Sequence, residues 1–127
     1  MTTASGFAER DLEALRSAKI LGVRSGMEHK FTGVWVVVVK RSVFVRSWGD
    51  KPTGWYRAFR DEPRGMIKVG EREIAVRARH VRSERTRHAV SQAFGEKYDT
   101  KASEKWVRGF ADPQREATTL ELVPELG

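Results

Sequence analysis

Six consecutive apolar residues, Val34-Trp35-Val36-Val37-Val38-Val39, run into Lys40-Arg41-Ser42 and return as Val43-Phe44-Val45. Branching at Cβ stiffens χ1 and suits a pleated surface, so this density of valine predicts extended chain. A run that is apolar at every position has no face to give to water, and a strand from Val34 to Val39 must be covered on both sides. Arg41-Ser42 marks a tight hairpin turn without the usual Asn-Gly, which leaves the turn type open. The returning segment, Val43 to Trp48, alternates: Val43, Val45 and Ser47 share one face, and Phe44, Arg46 and Trp48 share the other.

The rest of the chain supplies the covering elements. Ala8, Leu12 and Leu15 recur at helical spacing and predict a short helix over 8–17, with Ser5 as a candidate cap. Further strands are expected at Lys19 to Arg24, Gly65 to Val69, Arg72 to Val81 and Ala117 to Val123. Gly70-Glu71 is a turn, and Trp55 to Arg60 is a short helix or turn closed by Glu62-Pro63. Arg72 to Val81 places Ile74, Val76, Ala78 and His80 on one face, which predicts a satisfied, buried His80. Ser83 caps a helix to about Tyr98 carrying Val90, Phe94 and Tyr98 on one stripe. A second helix runs from about Ala102 to Phe110 and is broken at Asp112-Pro113. The expectation is a mainly β domain spanning residues 1–127, with flanking helices and a helical insertion over 83–111. Six meandering strands of this kind close more naturally into a small antiparallel barrel than into an open sheet.

Composition narrows the chemistry. With no cysteine among 127 residues, disulfides and thiolate metal sites are excluded. The N-terminus lacks the pattern of a secretory signal, and no run approaches the roughly 20 apolar residues of a membrane span. A soluble, cytoplasmic protein is expected. The net charge of +7 is concentrated: from Arg24 to His88 there are 16 Lys/Arg against 7 Asp/Glu. A basic middle attracts phosphorylated small molecules, nucleic acid or an acidic surface.

The exit of the hairpin gathers Arg46, Ser47, Trp48 and Lys51, with Trp55 and Tyr56 just beyond. Guanidinium forks and ammonium charges suit phosphate, hydroxyls add hydrogen bonds, and indole and phenol faces stack on flat rings. Arg46, Ser47 and Lys51 are the candidate phosphate contacts, against the alternative of solvated strand-end charges. Trp48, Trp55 and Tyr56 are candidate ring partners, against ordinary packing; Trp35 reads as core. Arg24, Ser25 and Thr32 close or open neighbouring strands and could approach the same ligand, or could serve as plain turn and strand-end residues. His29, His80 and His88 do not have metal-ligand spacing, and no metal is expected. Glu28, Asp50, Asp61 and Glu62 form no marked acid–base pair, and no Ser-His-Asp order stands out. Arg77, Arg79, Arg82, Arg85 and Arg87 make a basic run that is a solvated face, an anion-binding rim or a nucleic-acid track.

The hairpin, Val45-Arg46-Ser47-Trp48, Trp55-Tyr56-Arg57, Gly65-Met66-Ile67, Glu96-Lys97-Tyr98 and Ala117-Thr118-Thr119-Leu120, in that order, resemble the uncharacterised bacterial family DUF2255. That family is similar to the split β-barrels of pyridoxamine-phosphate oxidase type and to the deazaflavin-dependent nitroreductases. The resemblance implies a six-stranded split barrel, an FMN or F420 cofactor whose phosphate meets the loop from Arg46 to Lys51, and a homodimer with the cofactor at its interface. It implies an oxidoreductase passing a hydride to a small oxidised substrate. One departure stands out: the family's Thr-Pro-Thr-Trp-type approach reads here Phe31-Thr32-Gly33-Val34-Trp35, without the proline. Two alternatives remain open from the residues, a basic barrel that binds nucleic acid and a cofactor-free barrel that serves as a scaffold.

Overall fold

A computed structural model gives the fold for residues 6–27, 30–49, 51 and 53–125. Its seven strands are β1 (Leu21–Ser25), β2 (Thr32–Val34), β3 (Val36–Val39), β4 (Ser42–Val45), β5 (Arg64–Val69), β6 (Arg72–His80) and β7 (Leu120–Pro124). They form one antiparallel sheet in the order β2-β1-β5-β6-β7-β4-β3. The helices are α1 (Glu9–Ser17), α2 (Trp55–Asp61), α3 (Glu84–Lys97), α4 (Glu104–Phe110) and α5 (Pro113–Glu116).

The two edge strands are consecutive in sequence and are separated by Trp35 alone. Val34 pairs with Leu21 of β1, whereas Val36 pairs with Val45 of β4. One bent segment therefore joins both edges, and the chain itself brings the sheet close to a closed barrel. This is why seven strands replace the expected six. The predicted strand from Val34 to Val39 begins earlier, at Thr32, and breaks at Trp35 because its halves pair with different neighbours.

The double covering expected of the valine run is present. Val36 and Val38 face the barrel interior with Leu21, Val43, Val45, Ile67, Val76 and Leu122. Leu12 and Leu15 of α1 and Phe59 of α2 close that interior. Val37 and Val39 face outward against Val90, Phe94 and Tyr98. The hairpin turn places Lys40 at φ 59, the left-handed region, so Lys40 and Arg41 connect the strands.

The last turn of α3 fixes the bend at Trp35. The Tyr98 hydroxyl accepts from the Val36 amide at 3.1 Å and donates to the Lys19 carbonyl at 2.7 Å. Its ring stacks on Trp35, with centroids 4.0 Å apart and planes 4° from parallel. Lys97 Nζ donates to the carbonyls of Leu15 at 3.0 Å and Val36 at 2.8 Å. Burial, and then the charge of Lys19, pull the Lys97 ammonium down from 10.5 to about 8. A base depressed on folding binds fewer protons in the native state. Its cost to stability is therefore full below about pH 8 and is relieved as pH rises toward 10.5. Denaturant titrations from pH 7.5 to 10.5 should show this rising contribution, and Lys97→Met should flatten it relative to the parent.

Two terminal features differ from expectation. The last strand starts at Leu120 rather than Ala117, because Thr118 and Thr119 close the turn after α5 through hydrogen bonds to Arg115 and Glu116. Pro113 does not only end the preceding helix: it starts α5, where its missing N–H costs nothing. Ser83 caps α3 as read, its Oγ accepting from the Thr86 amide at 3.2 Å. The candidate cap Ser5 lies outside the described residues, and Ala8 stands at the N-cap of α1.

Candidate functional site

All four tryptophans of the chain, Trp35, Trp48, Trp55 and Trp106, line one open cleft of about 380 Å³. They come from four places: the bend between β2 and β3, the exit of β4, the first turn of α2, and α4. Phe110 completes the wall, and Arg46 is the one charged residue among the described lining residues. Trp48 lies edge-on to Trp106 with centroids 4.9 Å apart, and both are exposed, at 42% and 44%. The Trp48 ring lies flush on Gly109, where an added Cβ would stand 2.2 Å from the indole. Arg115 also holds it, its guanidinium 3.6 Å from the ring centroid and its Nε donating to the Trp48 carbonyl at 2.9 Å.

Arg46 sits beneath this wall and is 1% exposed. Its Nε donates to Thr119 Oγ1, Nη1 to Ser91 Oγ and the Phe110 carbonyl, and Nη2 to the Arg87 carbonyl, all at 2.8 Å. One side chain thus ties β4 to α3, to the end of α4 and to the start of β7. Burial draws its guanidinium down to about 10, opposed by the charge of Glu116, so it remains cationic at neutral pH. Ser47 is buried beside it, its amide donating to Thr118 Oγ1 at 2.8 Å and its hydroxyl turned onto the Gly49 carbonyl. Lys51 is exposed, and its carbonyl accepts from the Gly54 amide at 2.9 Å. The loop expected to present Arg46, Ser47 and Lys51 together instead turns the first two inward and leaves the third in solvent.

A second cavity of about 220 Å³ adjoins the cleft and shares Trp55 with it. Arg24, Ser25, Lys30, Thr32 and Thr53 line it. Arg24 reaches it from β1, with its guanidinium 4.5 Å from the Phe31 ring centroid and 3.9 Å from Glu73. The buried Nε of Arg24 has no hydrogen-bond partner among the described residues, and an orphaned buried donor on a cation is expensive. Ser25 is buried, with its hydroxyl within hydrogen-bond distance of the Glu62 and Ala58 carbonyls, 2.7 and 3.0 Å. Thr32 is exposed at the rim.

The nine candidate ligand residues therefore divide. Arg46, Trp48 and Trp55 meet at the cleft; Arg24, Ser25, Thr32 and again Trp55 meet at the cavity. Tyr56 lies in the barrel core at 4% exposure, beside Phe59. Trp35 is half-buried rather than wholly core, since its ring both packs on Tyr98 and lines the cleft. Trp106, Phe110 and Lys30 were not among the candidate ligand residues of the sequence. The signal for the first two was the i, i+4 pair on a helix too short to be stable without packing. His80 is exposed, not buried, because β6 ends there; its Nε2 lies 2.6 Å from the Ala117 carbonyl. Glu28, His29 and Asp50 lie outside the described residues. No cluster of three metal-ligating side chains occurs among the described residues.

The outer face of the sheet accounts for part of the basic middle. Arg24 and Arg79 pair across strands with Glu73 and Glu121 at 3.9 and 3.0 Å, and Arg64 pairs with Glu125, just past β7, at 3.5 Å. Among the described residues no helix is long and apolar enough to cross a membrane.

The model of a family of uncharacterised proteins conserved in bacteria, DUF2255, matches residues 11–122. The chain belongs to that family. No curated protein matches the chain significantly. Solved structures match it in fold. A conserved hypothetical protein of Mycobacterium tuberculosis aligns with TM-score 0.61 at 14% identity, over 97% of this chain and 82% of its own. A candidate pyridoxamine 5'-phosphate oxidase of Listeria innocua aligns with TM-score 0.61 at 14% identity, over 93% of each chain. An FAD-binding protein of Mesorhizobium loti aligns with TM-score 0.54 at 10% identity, over 95% of this chain and 91% of its own. This DUF2255 member thus has the nearly closed antiparallel barrel of the pyridoxamine-phosphate oxidase type, with its helices packed outside.

Proposed function

We propose that this DUF2255 protein binds a flavin-type cofactor, FMN or a deazaflavin, with the ring in the tryptophan cleft and the phosphorylated tail in the adjoining Arg24 cavity. The convergence of all four tryptophans on one cleft carries this reading. Indole faces favour a flat aromatic ring, and offset or edge-on packing adds to simple burial. The residues of the cavity fit an anionic tail: two cations, two threonine hydroxyls, and the orphaned Arg24 Nε, which a phosphate oxygen would satisfy. The fold likeness to an FAD-binding protein supports the same reading. The phosphate contacts move from Arg46 and Ser47, whose polar groups are engaged within the chain, to Arg24, Lys30, Thr32 and Thr53.

Such a cofactor, when bound, supplies hydride chemistry to a small oxidised substrate, which makes the protein an oxidoreductase. The chain's own part is to orient the ring and exclude water: Trp48 and Trp106 wall one side, and Trp35 is fixed on Tyr98. Ile20, Trp48 and Trp106 leave apolar surface exposed around the cleft, and a second copy of the chain covering it in a homodimer is part of the reading. A cytoplasmic location agrees with it.

Titration with FMN and with a deazaflavin, followed by tryptophan fluorescence, tests the proposal. Saturable quenching by one of them is expected, since every indole lines the cleft. Arg24→Ala should weaken FMN about 10- to 100-fold, as expected for loss of a charge-assisted phosphate contact, while leaving phosphate-free lumiflavin unchanged. Failure of both cofactors to quench at millimolar concentration would sink it.

A further inference from the structure

The tryptophan cleft contains an uncommon electrostatic arrangement. Arg46, the one charged lining residue among the described residues, is nearly inaccessible to solvent, and its hydrogen bonds run to two carbonyls and two hydroxyls, all neutral. The nearest compensation comes indirectly. Ser91 Oγ, which accepts from Arg46, donates to Glu116 Oε2 at 3.1 Å. Burying a guanidinium against neutral partners leaves a positive field that cannot reorganise, because four bonds from three elements hold it still. Against the indole wall that field is screened less than in bulk water.

We propose that the cleft selects planar aromatic ligands that carry negative charge, and that the fixed field of Arg46 makes the selection. The proposal rests on the reading of this cleft as a ligand site, and does not depend on the ligand's being a flavin. Arg46 acts here through space as a specificity-determining residue, and Glu116 attenuates it. The ligand class is an aromatic anion: a ring bearing a sulfonate, a carboxylate or a deprotonated ring nitrogen, in preference to its neutral isostere.

Two probes with the same ring system differ by the charged group: anilinonaphthalene sulfonate and its neutral parent, phenylnaphthylamine. Energy transfer from tryptophan reports binding at the cleft. At about 0.15 M salt, contributions from solvent-exposed charges more than about 8 Å away are largely screened. The wild type should bind the sulfonate at least about tenfold tighter than the parent, or about 1.4 kcal/mol. Glu116→Gln removes the attenuating charge and should raise that preference about threefold or more. Glu125→Gln makes the same change in net charge at the far end of β7 and should leave the preference unaltered. Arg46→Met should abolish it; should that variant not fold, the two glutamate variants still decide. A wild type without preference, or glutamate variants that shift it equally, would overturn the proposal. Selection that persists in a protein that binds neither FMN nor a deazaflavin would remove the flavin reading and leave this one standing.

Discussion

Gly65→Ala is expected to cost about 4 kcal/mol or more, in the range reserved for steric failure inside a core. Gly65 sits in β5 opposite Ser25 of β1 and Val76 of β6. A Cβ there would stand 2.2 Å from the Arg24 carbonyl, 2.9 Å from the Phe59 ring and 3.0 Å from Ser25 Cα. Two of these three obstacles are backbone, so no side-chain rotation relieves them. The strand pair must separate, and with it go the anchor of Arg24 and the seat of α2. Thermal melts should show the loss directly. A variant as stable as the parent would show that β1 and β5 do not pair this closely.

Arg46→Ala is expected to cost about 4 kcal/mol, because removing one partner of a buried network leaves the others unsatisfied. The Phe110 and Arg87 carbonyls and the Thr119 and Ser91 hydroxyls would all lose a donor. A cavity would also open against the Phe94 ring, whose centroid lies 5.6 Å from the guanidinium. Arg46→Lys should recover little, since a compact ammonium cannot reach acceptors disposed around a planar fork. Chemical denaturation measures both. Hydrogen exchange should open first in α4, whose last residue Arg46 ties to β4 through the Phe110 carbonyl. Loss of under about 1 kcal/mol, the range of an ordinary surface charge, would contradict a buried network.

Much of the fold was legible in the sequence because its elements are locally consistent. The valine run, the alternation of β6, the Gly70-Glu71 turn and the Ser83 cap each report through neighbours within a few residues. The break at Trp35 was not legible. Val34, Trp35 and Val36 are all good strand formers, and only the partners distinguish them: Leu21 for one side and Val45 for the other. His80 was misread for a related reason. Its parity along β6 points to the apolar face, but burial also depends on whether that face is still covered at the strand's last residue.

The candidate site was legible in composition and less so in geometry. The aromatic and basic character of the region from Arg46 to Tyr56 pointed to a ring-and-phosphate ligand, and Trp48 and Trp55 do reach one cleft. The fate of Arg46 could not be read, because its acceptors lie between 41 and 73 residues away in sequence. The contribution of Trp106 depends likewise on α4 docking beside Trp48.

The sequence alone determined the strand-forming segments, the helix ends, the excess of positive charge and the family, since these depend on residue type and short-range order. Only the tertiary structure decided where the barrel closes, which arginine is buried and which lines the open cavity, and that four dispersed tryptophans share one wall. Those outcomes depend on which distant segments pack together, and the free energy of such packing is not written in any single stretch of chain.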